Sequence, residues 1–310
     1  MCDSVNLFHT SLTFIFRWTD YDKIVEIYIY VIFLKSTLMT GITDIIYTFH
    51  IISKESNLPV TALQKIFSHQ ISTLLIIKTG ETFAHLSAQA GDFEHWVEAG
   101  VAGHGLPVAV VDARQPGGLP APHTIAGAVL TGSHAMVSDR ADWSEALGTW
   151  LATAVQQQTP VLGICYGHQL LAHALGGEVG YHPGGLEIGT VEVTRNPHAA
   201  DDVLLGALPG RFAAQVVHHQ SVRALPPGAV PLAGNAHEPH HAYRIGERAW
   251  GVQFHPEFSA DAMRCYIDTL APSLSDAGRD VQALRTGVRD TPDAAALLGR
   301  FARLCSAPAG

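Results

Sequence analysis

The chain has few cysteines and, over most of its length, almost no lysine. Its four cysteines are widely spaced and form no paired pattern, which argues against a disulfide framework and fits a reducing cytoplasm. Lys78 is the last lysine, and the chain contains no Gly-x-x-x-x-Gly-Lys phosphate loop. We therefore expect a cytoplasmic protein, in which any ATP-dependent step lies on another chain.

Long hydrophobic runs and basic blocks are also missing. The most apolar run, residues 24–34, includes Glu26 and is well short of the roughly 20 residues that a membrane-spanning helix needs. Asp3 precedes any basic residue, so the positively charged start of a secretory signal is absent. The formal net charge of −9 argues against nucleic acid as a partner. We expect neither a membrane nor a nucleic-acid partner.

Glycine is nearly absent from the start of the chain and abundant after it. Residues 1–72 contain one glycine, one alanine and one proline, whereas residues 73–310 contain 28 glycines. Two such compositions indicate two origins. We interpret residues 1–72 as a dispensable extension, or as sequence upstream of the true start, and expect the folded domain to begin near residue 73.

The strongest chemical signal lies in residues 163–169, which read Gly-Ile-Cys-Tyr-Gly-His-Gln after a short apolar run. A strand that ends in Gly-x-Cys-x-Gly and turns into a helix is typical of a nucleophile elbow, whose glycines stand where the two backbones come too close for a side chain. The N-terminus of the helix favours the thiolate form of Cys165. A buried structural cysteine at a strand end is the alternative interpretation.

A second motif, Gly-Val-Gln-Phe-His-Pro-Glu-Phe at residues 251–258, lies about ninety residues downstream. Pro256 favours an extended conformation for His255, and in an extended segment residues two apart project to the same side. We therefore expect Glu257 to lie beside His255, where a carboxylate orients an imidazole and stabilises its charged form. An ordinary solvated turn is the alternative.

The two motifs together make the chain resemble the class I (triad) glutamine amidotransferases, and most closely the branch that includes the glutaminase part of GMP synthase. Residues 129–133, Val-Leu-Thr-Gly-Ser, occupy the place of that family's oxyanion loop. The resemblance extends over about residues 73–270. It implies a flavodoxin-like α/β fold that hydrolyses the side-chain amide of glutamine without a cofactor.

The resemblance also implies a role for each matching residue. Cys165 is the nucleophile, His255 the acid and base, and Glu257 the orienting carboxylate. The oxyanion donors are the Tyr166 N–H and an N–H of the oxyanion loop, which glycine leaves free to flip. Members of that branch carry His-Gly-Asp near the point where this chain reads His218-His219-Gln220-Ser221-Val222, so the carboxylate that helps hold the substrate α-amino group is missing. The expected oxyanion and substrate contacts are Gly132, Ser133, Tyr166, Gln169 and Gln220.

The pattern after residue 72 independently predicts an α/β domain over residues 73–275. Short β-rich runs alternate with helical patterns, which indicates a mostly parallel sheet with helices on both faces and ligands beyond the strand carboxyl ends. Several short strands between residues 188 and 254 predict an antiparallel addition. The expected strands are 74–78, 108–112, 125–131, 161–164, 190–194, 213–217, 242–245 and 250–254, and the expected helices include 93–99, 143–157 and 168–175.

The C-terminal segment, residues 276–310, predicts two helices that pack on the domain, the second opening at Thr291-Pro292-Asp293. A helix that docks a partner is the alternative. The histidines, including His218, His219 and residues 237–241, lack zinc-ligand spacing, so we interpret them as solvated loop residues and expect no metal.

Three functions remain open from the sequence. The first is a glutaminase that forms a γ-glutamyl thioester on Cys165 and has, as a possible partner, a synthetase chain that uses the ammonia. The second is a standalone hydrolase of γ-glutamyl peptides or amides, which the altered substrate motif and the missing synthetase favour. The third, a regulatory module without turnover, is weakest because all three triad residue types are present.

Overall fold

The computed structural model describes residues 9–20, 23–34, 46–53 and 73–306, and the chain divides into two units, Met1–Gln70 and Ile71–Gly310. The smaller unit contains a three-stranded antiparallel sheet whose segments are rich in β-branched and aromatic residues, which favour strands. Its strands, in sheet order, are β1 (His9–Asp20), β2 (Lys23–Leu34) and β3 (Ile46–Ser53).

The larger unit is built on a nine-stranded sheet and a separate two-stranded one. The two sheets together contain the strands β4 (Leu74–Lys78), β5 (Val108–Asp112), β6 (Gly127–Leu130), β7 (Val161–Ile164), β8 (Glu178–Tyr181), β9 (Glu187–Arg195), β10 (Arg211–His218), β11 (Gln220–Ala224), β12 (Val230–Gly234), β13 (Ala242–Ile245) and β14 (Ala249–Val252). The large sheet has the order β10-β9-β12-β13-β14-β7-β6-β4-β5, and β11 pairs with β8.

Five neighbouring strands, β14, β7, β6, β4 and β5, form the parallel part of the large sheet. Strands β4, β6, β7 and β14 consist almost entirely of buried residues, as expected for strands covered on both faces. The sequence prediction of a mostly parallel sheet with an antiparallel addition is confirmed. The carboxyl ends of these strands therefore meet at one edge, where α/β proteins bind their ligands.

The predicted antiparallel pairing of strand β14 is only partly correct. Residues 250–254 were expected among the antiparallel strands, but β14 pairs parallel with β7 on one side and antiparallel with β13 on the other. All four of its residues are buried. It is therefore the junction between the two parts of the sheet, and its carboxyl end lies beside that of β7.

Helices cover both faces of the large sheet. The core on one face includes Val97, Leu297 and Phe301, and the core on the other includes Leu147, Leu151 and Leu170. The helices are α1 (Ala84–Ala90), α2 (Phe93–Val101), α3 (Asp142–Gln156), α4 (Tyr166–Ala174), α5 (Ala260–Asp276), α6 (Val281–Gly287) and α7 (Pro292–Ser306).

The C-terminal segment forms the two predicted helices, α6 and α7. Leu297, Phe301 and Ala302 of α7 are fully buried in the same core as strands of the sheet. The second helix is thus part of the domain core. Among the described residues, no helix combines the length and the apolar character that crossing a bilayer requires.

We expect a chain that begins at Ser72 to fold, because the sheet of the larger unit starts at Leu74 and that unit begins at Ile71. Its thermal unfolding midpoint should equal that of the larger unit in the full chain. A matched chain that also lacks β4, which is buried between β5 and β6, should fail to fold. Failure of the first chain as well would show that residues 1–71 contribute to the core.

Candidate active site

Cys165 stands alone between the end of β7 and the start of α4, as an elbow requires. Its backbone has φ 49° and ψ −94°, a conformation that residues other than glycine rarely adopt and that is often found at functional sites. A Cβ added at Gly163 would lie 2.4 Å from the Gly167 carbonyl oxygen, and one at Gly167 would lie 2.6 Å from the Leu130 Cβ. The predicted strand, tight turn and helix are confirmed, and so is the steric reason for both glycines.

His255 and Glu257 follow β14 and form a buried hydrogen-bonded pair. His255 Nδ1 lies 2.7 Å from Glu257 Oε1, and both side chains are almost completely buried. The predicted pairing therefore occurs, although not through an extended segment. The Phe258 N–H donates to the His255 carbonyl at 3.3 Å, so Pro256 and Glu257 occupy the corner of a turn, and it is this turn that brings the carboxylate back to the ring.

The pKa of His255 is set by opposing effects. Burial lowers the pKa of His255, because it disfavours the charged imidazole, but the negative charge of Glu257 and the neighbouring Cys165 raise it more, to about 10. His255 is therefore positively charged at neutral pH. A buried imidazolium beside a thiol can stabilise the thiolate and can later donate a proton to a leaving group.

The oxyanion loop at Gly132 and Ser133 lies directly against these groups. A Cβ added at Gly132 would stand 2.9 Å from His255 Cε1 and 3.9 Å from the Cβ of Cys165. Glycine is thus needed here for close approach. The loop leaves the carboxyl end of β6, while Cys165 and His255 follow β7 and β14, so three parallel strands place the three groups together.

Two threonines anchor this loop: Thr131, which belongs to the loop motif found in the sequence, and Thr79, which sequence reasoning missed. Thr79 Oγ1 lies 3.0 Å from the Gly132 carbonyl oxygen and 2.9 Å from the Thr131 carbonyl oxygen and shares its one proton between them, and Thr131 Oγ1 donates to the Gly132 oxygen at 3.1 Å. The expectation that glycine leaves the loop free to flip does not fit these contacts, because rotating the peptide would break both hydrogen bonds. Since the carbonyl and the N–H of a trans peptide point in opposite directions, the Ser133 N–H faces away from Thr79.

A cavity of about 240 Å³ opens at Cys165 and His255. The expected contacts Ser133, Tyr166, Gln169 and Gln220 line it. So do apolar side chains that the sequence did not single out, because they come from loops, the end of β10 and helices α2 and α5. These additional lining residues are Phe83, Phe93, Met136, Val217, Tyr266 and Leu270.

The two glutamines are held by the protein itself. Gln169 Nε2 donates to the Gln220 carbonyl at 2.7 Å and to Gln253 Oε1 at 3.0 Å, which ties α4 to the start of β11. The side chain of Gln220 bonds to Ser138, with Nε2 donating to Oγ at 2.5 Å. Both glutamines therefore form part of the cavity wall, and Gln169 also holds α4 against it.

Two of the histidines interpreted as solvated are fully buried, so that interpretation is wrong for them. His218 Nε2 lies 2.9 Å and His241 Nε2 lies 3.3 Å from Glu187 Oε2. The pairing joins β9, β10 and the residue before β13, and a local pattern cannot reveal it. His219, in contrast, is exposed. In the part of the chain that the structure describes, no group of three or more His, Cys, Asp or Glu side chains is arranged to hold a metal.

Comparison with known proteins places this site in a family. The sequence model described as "Glutamine amidotransferase class-I" matches residues 92–267, more than half of the chain, and its range includes Cys165 and His255. The chain belongs to the class I glutamine amidotransferase family. The predicted family membership is thereby confirmed.

Relatives and solved structures agree with this membership. A GMP synthase [glutamine-hydrolyzing] of Aeropyrum pernix is 37% identical over 184 residues, 59% of this chain and 32% of that protein, and one of Porphyromonas gingivalis is 39% identical over 140 residues, 43% of this chain and 25% of that protein. The chain therefore spans about a third or less of the length of these amidotransferases.

Two crystal structures of glutamine amidotransferases share the fold of the larger unit. A glutamine amidotransferase from Thermotoga maritima has a TM-score of 0.59 at 20% identity and covers 76% of this chain and 97% of its own. A glutamine amido transferase from Methylobacillus flagellatus has a TM-score of 0.56 at 26% identity and covers 76% of this chain and 92% of its own. The expected flavodoxin-like fold is confirmed.

Iodoacetamide at neutral pH should label Cys165 well ahead of Cys265 and Cys305, because Cys165 lies at a helix N-terminus beside the His255 imidazolium. Burial raises the pKa of the Cys305 thiol to about 12, which suppresses its thiolate. Mass spectrometry of timed samples would give the three rates. In His255→Ala, only the Cys165 rate should fall, and equal rates in the wild type would contradict an activated thiol.

Proposed function

We propose that the chain hydrolyses the γ-carboxamide of a glutamine side chain through a Cys165, His255 and Glu257 triad. The observation that carries the proposal is the convergence of the Cys165 elbow, the His255 and Glu257 pair and the Gly132 loop on one cavity. Membership of the class I glutamine amidotransferases supports the same chemistry.

In the first half of the reaction, the Cys165 thiolate attacks the amide carbon and a tetrahedral oxyanion forms. The Tyr166 N–H, at the free N-terminus of α4, and the Ser133 N–H are the donors that would stabilise it. The carbon–nitrogen bond then breaks, ammonia leaves with a proton from His255, and a γ-glutamyl thioester remains on Cys165.

In the second half, His255 is neutral and accepts a proton from water. The water oxygen attacks the thioester carbon, the carbon–sulfur bond breaks, and the thiolate and the γ-carboxylic acid are released, the acid losing its remaining proton to solvent. Glu257 takes no proton in either half. Its role is to orient the His255 ring through the 2.7 Å hydrogen bond and to stabilise the imidazolium.

A second candidate is the hydrolysis of γ-glutamyl peptides or substituted amides by the same steps. The apolar part of the cavity wall, with Phe83, Met136, Val217 and Leu270, favours it, because a substituted amine leaving group would bury apolar surface there. Ammonia is too small to use that surface.

A synthetase partner belongs to the proposal as a recipient of ammonia. Two matched relatives are named GMP synthases, and the match covers only 32% and 25% of their lengths. The anchored Gly132 peptide nevertheless indicates that the oxyanion loop is ordered without a partner.

The isolated chain should therefore release the acid product from a γ-carboxamide or γ-glutamyl amide without any added protein. Cys165→Ala and His255→Ala should abolish turnover, and Glu257→Gln should lower it by a factor of about 10²–10⁴. The matched control is Cys265→Ala, which removes a half-buried thiol outside the cavity and should leave turnover unchanged. Turnover that persists in Cys165→Ala would refute the mechanism, and turnover only with a synthetase would reject the standalone activity.

On the alkaline side of its pH profile, kcat/KM should fall near pH 10; this fall is the alkaline limb. Because the pKa of His255 is raised from 6.5 to about 10, the imidazolium that protonates the leaving group persists at neutral pH and is lost as the pH rises through about 10. In Glu257→Gln the pKa of His255 should fall, so the limb should move to lower pH.

The pH dependence is measured as kcat/KM from neutral to alkaline pH, with circular dichroism at each pH to verify folding. Asp261→Asn is a suitable control, because it removes an exposed carboxylate that pairs with Arg264 outside the site. An alkaline limb at the same pH in the wild type and Glu257→Gln would contradict the assignment to His255.

A further inference from the structure

The cavity at Cys165 carries none of the fixed charges that a free amino acid would need. Among the described residues that line it, none is Asp, Glu, Lys or Arg. Its polar side chains are hydroxyl, amide, thiol and imidazole groups. A free glutamine molecule carries an α-ammonium and an α-carboxylate at neutral pH, so the histidines decide whether the cavity can offset either charge.

The lining histidines, the triad residue His255 apart, supply no net charge. Burial lowers the pKa of His134, and the nearby His255 lowers it further. Although His219 is exposed, the partial desolvation of its ring and the nearby His218 lower its pKa. Both rings are therefore neutral at pH 7. His218 is hydrogen-bonded to Glu187 at 2.9 Å, so a carboxylate lies directly beside its ring.

The cavity is thus unsuited to an α-ammonium group. Neutral amides and carbonyls can accept its hydrogen bonds, but they do not replace the opposite charge that a cation leaving water requires. The carboxylate nearest the reacting atoms, Glu257, is already paired with the His255 imidazolium at 2.7 Å and is therefore not free to pair with an ammonium. An acylated α-nitrogen is neutral and avoids this cost, and within a peptide the α-carboxyl group is an uncharged amide as well.

Gln220 is the residue of the cavity wall at which the preference for an uncharged α-nitrogen can be tested by substitution. It is 1% exposed, its Nε2 donates to Ser138 Oγ at 2.5 Å, and its Oε1 accepts from the Ser138 N–H at 3.4 Å. The neutral amide is therefore fixed in place. Met136, Val217 and Leu270 line the same cavity and provide apolar surface on which an acyl group can pack.

We propose that the site acts on a glutamine side chain whose α-nitrogen is acylated, either in an N-acylglutamine or in a peptide. This inference rests on the proposed amidohydrolase function and holds for either leaving group. The chemical feature that the cavity selects is the uncharged α-nitrogen.

The test is Gln220→Glu, which adds one negative charge with almost no change of shape. Both the N–H and the O–H of Ser138 can donate to the new carboxylate, so the hydrogen bonds of the wall are retained. The wild-type protein, with its neutral Gln220 side chain of the same size, is the control. Comparing two substrates within each protein cancels any general effect of the substitution on the triad.

The measurement is kcat/KM of the full chain for glutamine and for Nα-acetylglutamine, read as released ammonia. We expect the wild type to favour Nα-acetylglutamine by about tenfold or more, and Gln220→Glu to shift the ratio toward glutamine by about tenfold or more, as a close opposite charge would. Nα-acetylglutamine N-methylamide is the third substrate. Its faster turnover would identify a glutamine within a peptide, and slower turnover would identify a free N-acylglutamine.

Two results would overturn the inference. One is a wild type that hydrolyses glutamine at least as well as Nα-acetylglutamine, and the other is a ratio that Gln220→Glu leaves unchanged. Either would leave the amidohydrolase function standing, because turnover would still depend on Cys165. Calorimetry with Cys165→Ala tests binding without turnover, and tighter binding of glutamine than of Nα-acetylglutamine there would also overturn the inference.

Discussion

The close approach of β7 and α4 at Cys165 is the constraint on which the site depends. The turn leaves no room for a Cβ at Gly163 or Gly167, and it holds Cys165 at a positive φ that costs about 1–3 kcal/mol. Burial of β7 and of most of α4 on both sides of the turn offsets this strain. The result is a thiol at a free helix N-terminus, at the edge where β6 and β14 end.

Burial then determines how the three proposed triad groups interact. Removing His255 from water disfavours its charged form, yet the same low polarity strengthens its attraction to Glu257. The raised pKa of His255 shows that attraction outweighs desolvation. A carboxylate is needed for this balance, since a neutral partner would leave the buried ring without the opposite charge that keeps it protonated.

The sequence was sufficient for features encoded locally. Glycine spacing around Cys165 predicted the elbow, and apolar runs predicted β4, β5, β7 and β13 to the residue. It was insufficient wherever distant segments meet. The hydrogen bond of Thr79 to Gly132 joins residues 53 apart, and that of Glu187 to His218 joins residues 31 apart, so neither leaves a local pattern. The parallel pairing of β14 was missed for the same reason.

The reactive groups and the rest of the cavity wall come from different parts of the fold. Reactive groups follow β6, β7 and β14, whose positions are fixed by the parallel sheet, whereas Val217 and Gln220 come from β10 and β11 and Leu270 from α5. A change in that outer wall alters the charge and shape presented to a substrate without moving the Cys165 turn or the pair of His255 and Glu257. Substrate choice can therefore change in this architecture while the arrangement for acyl transfer is retained.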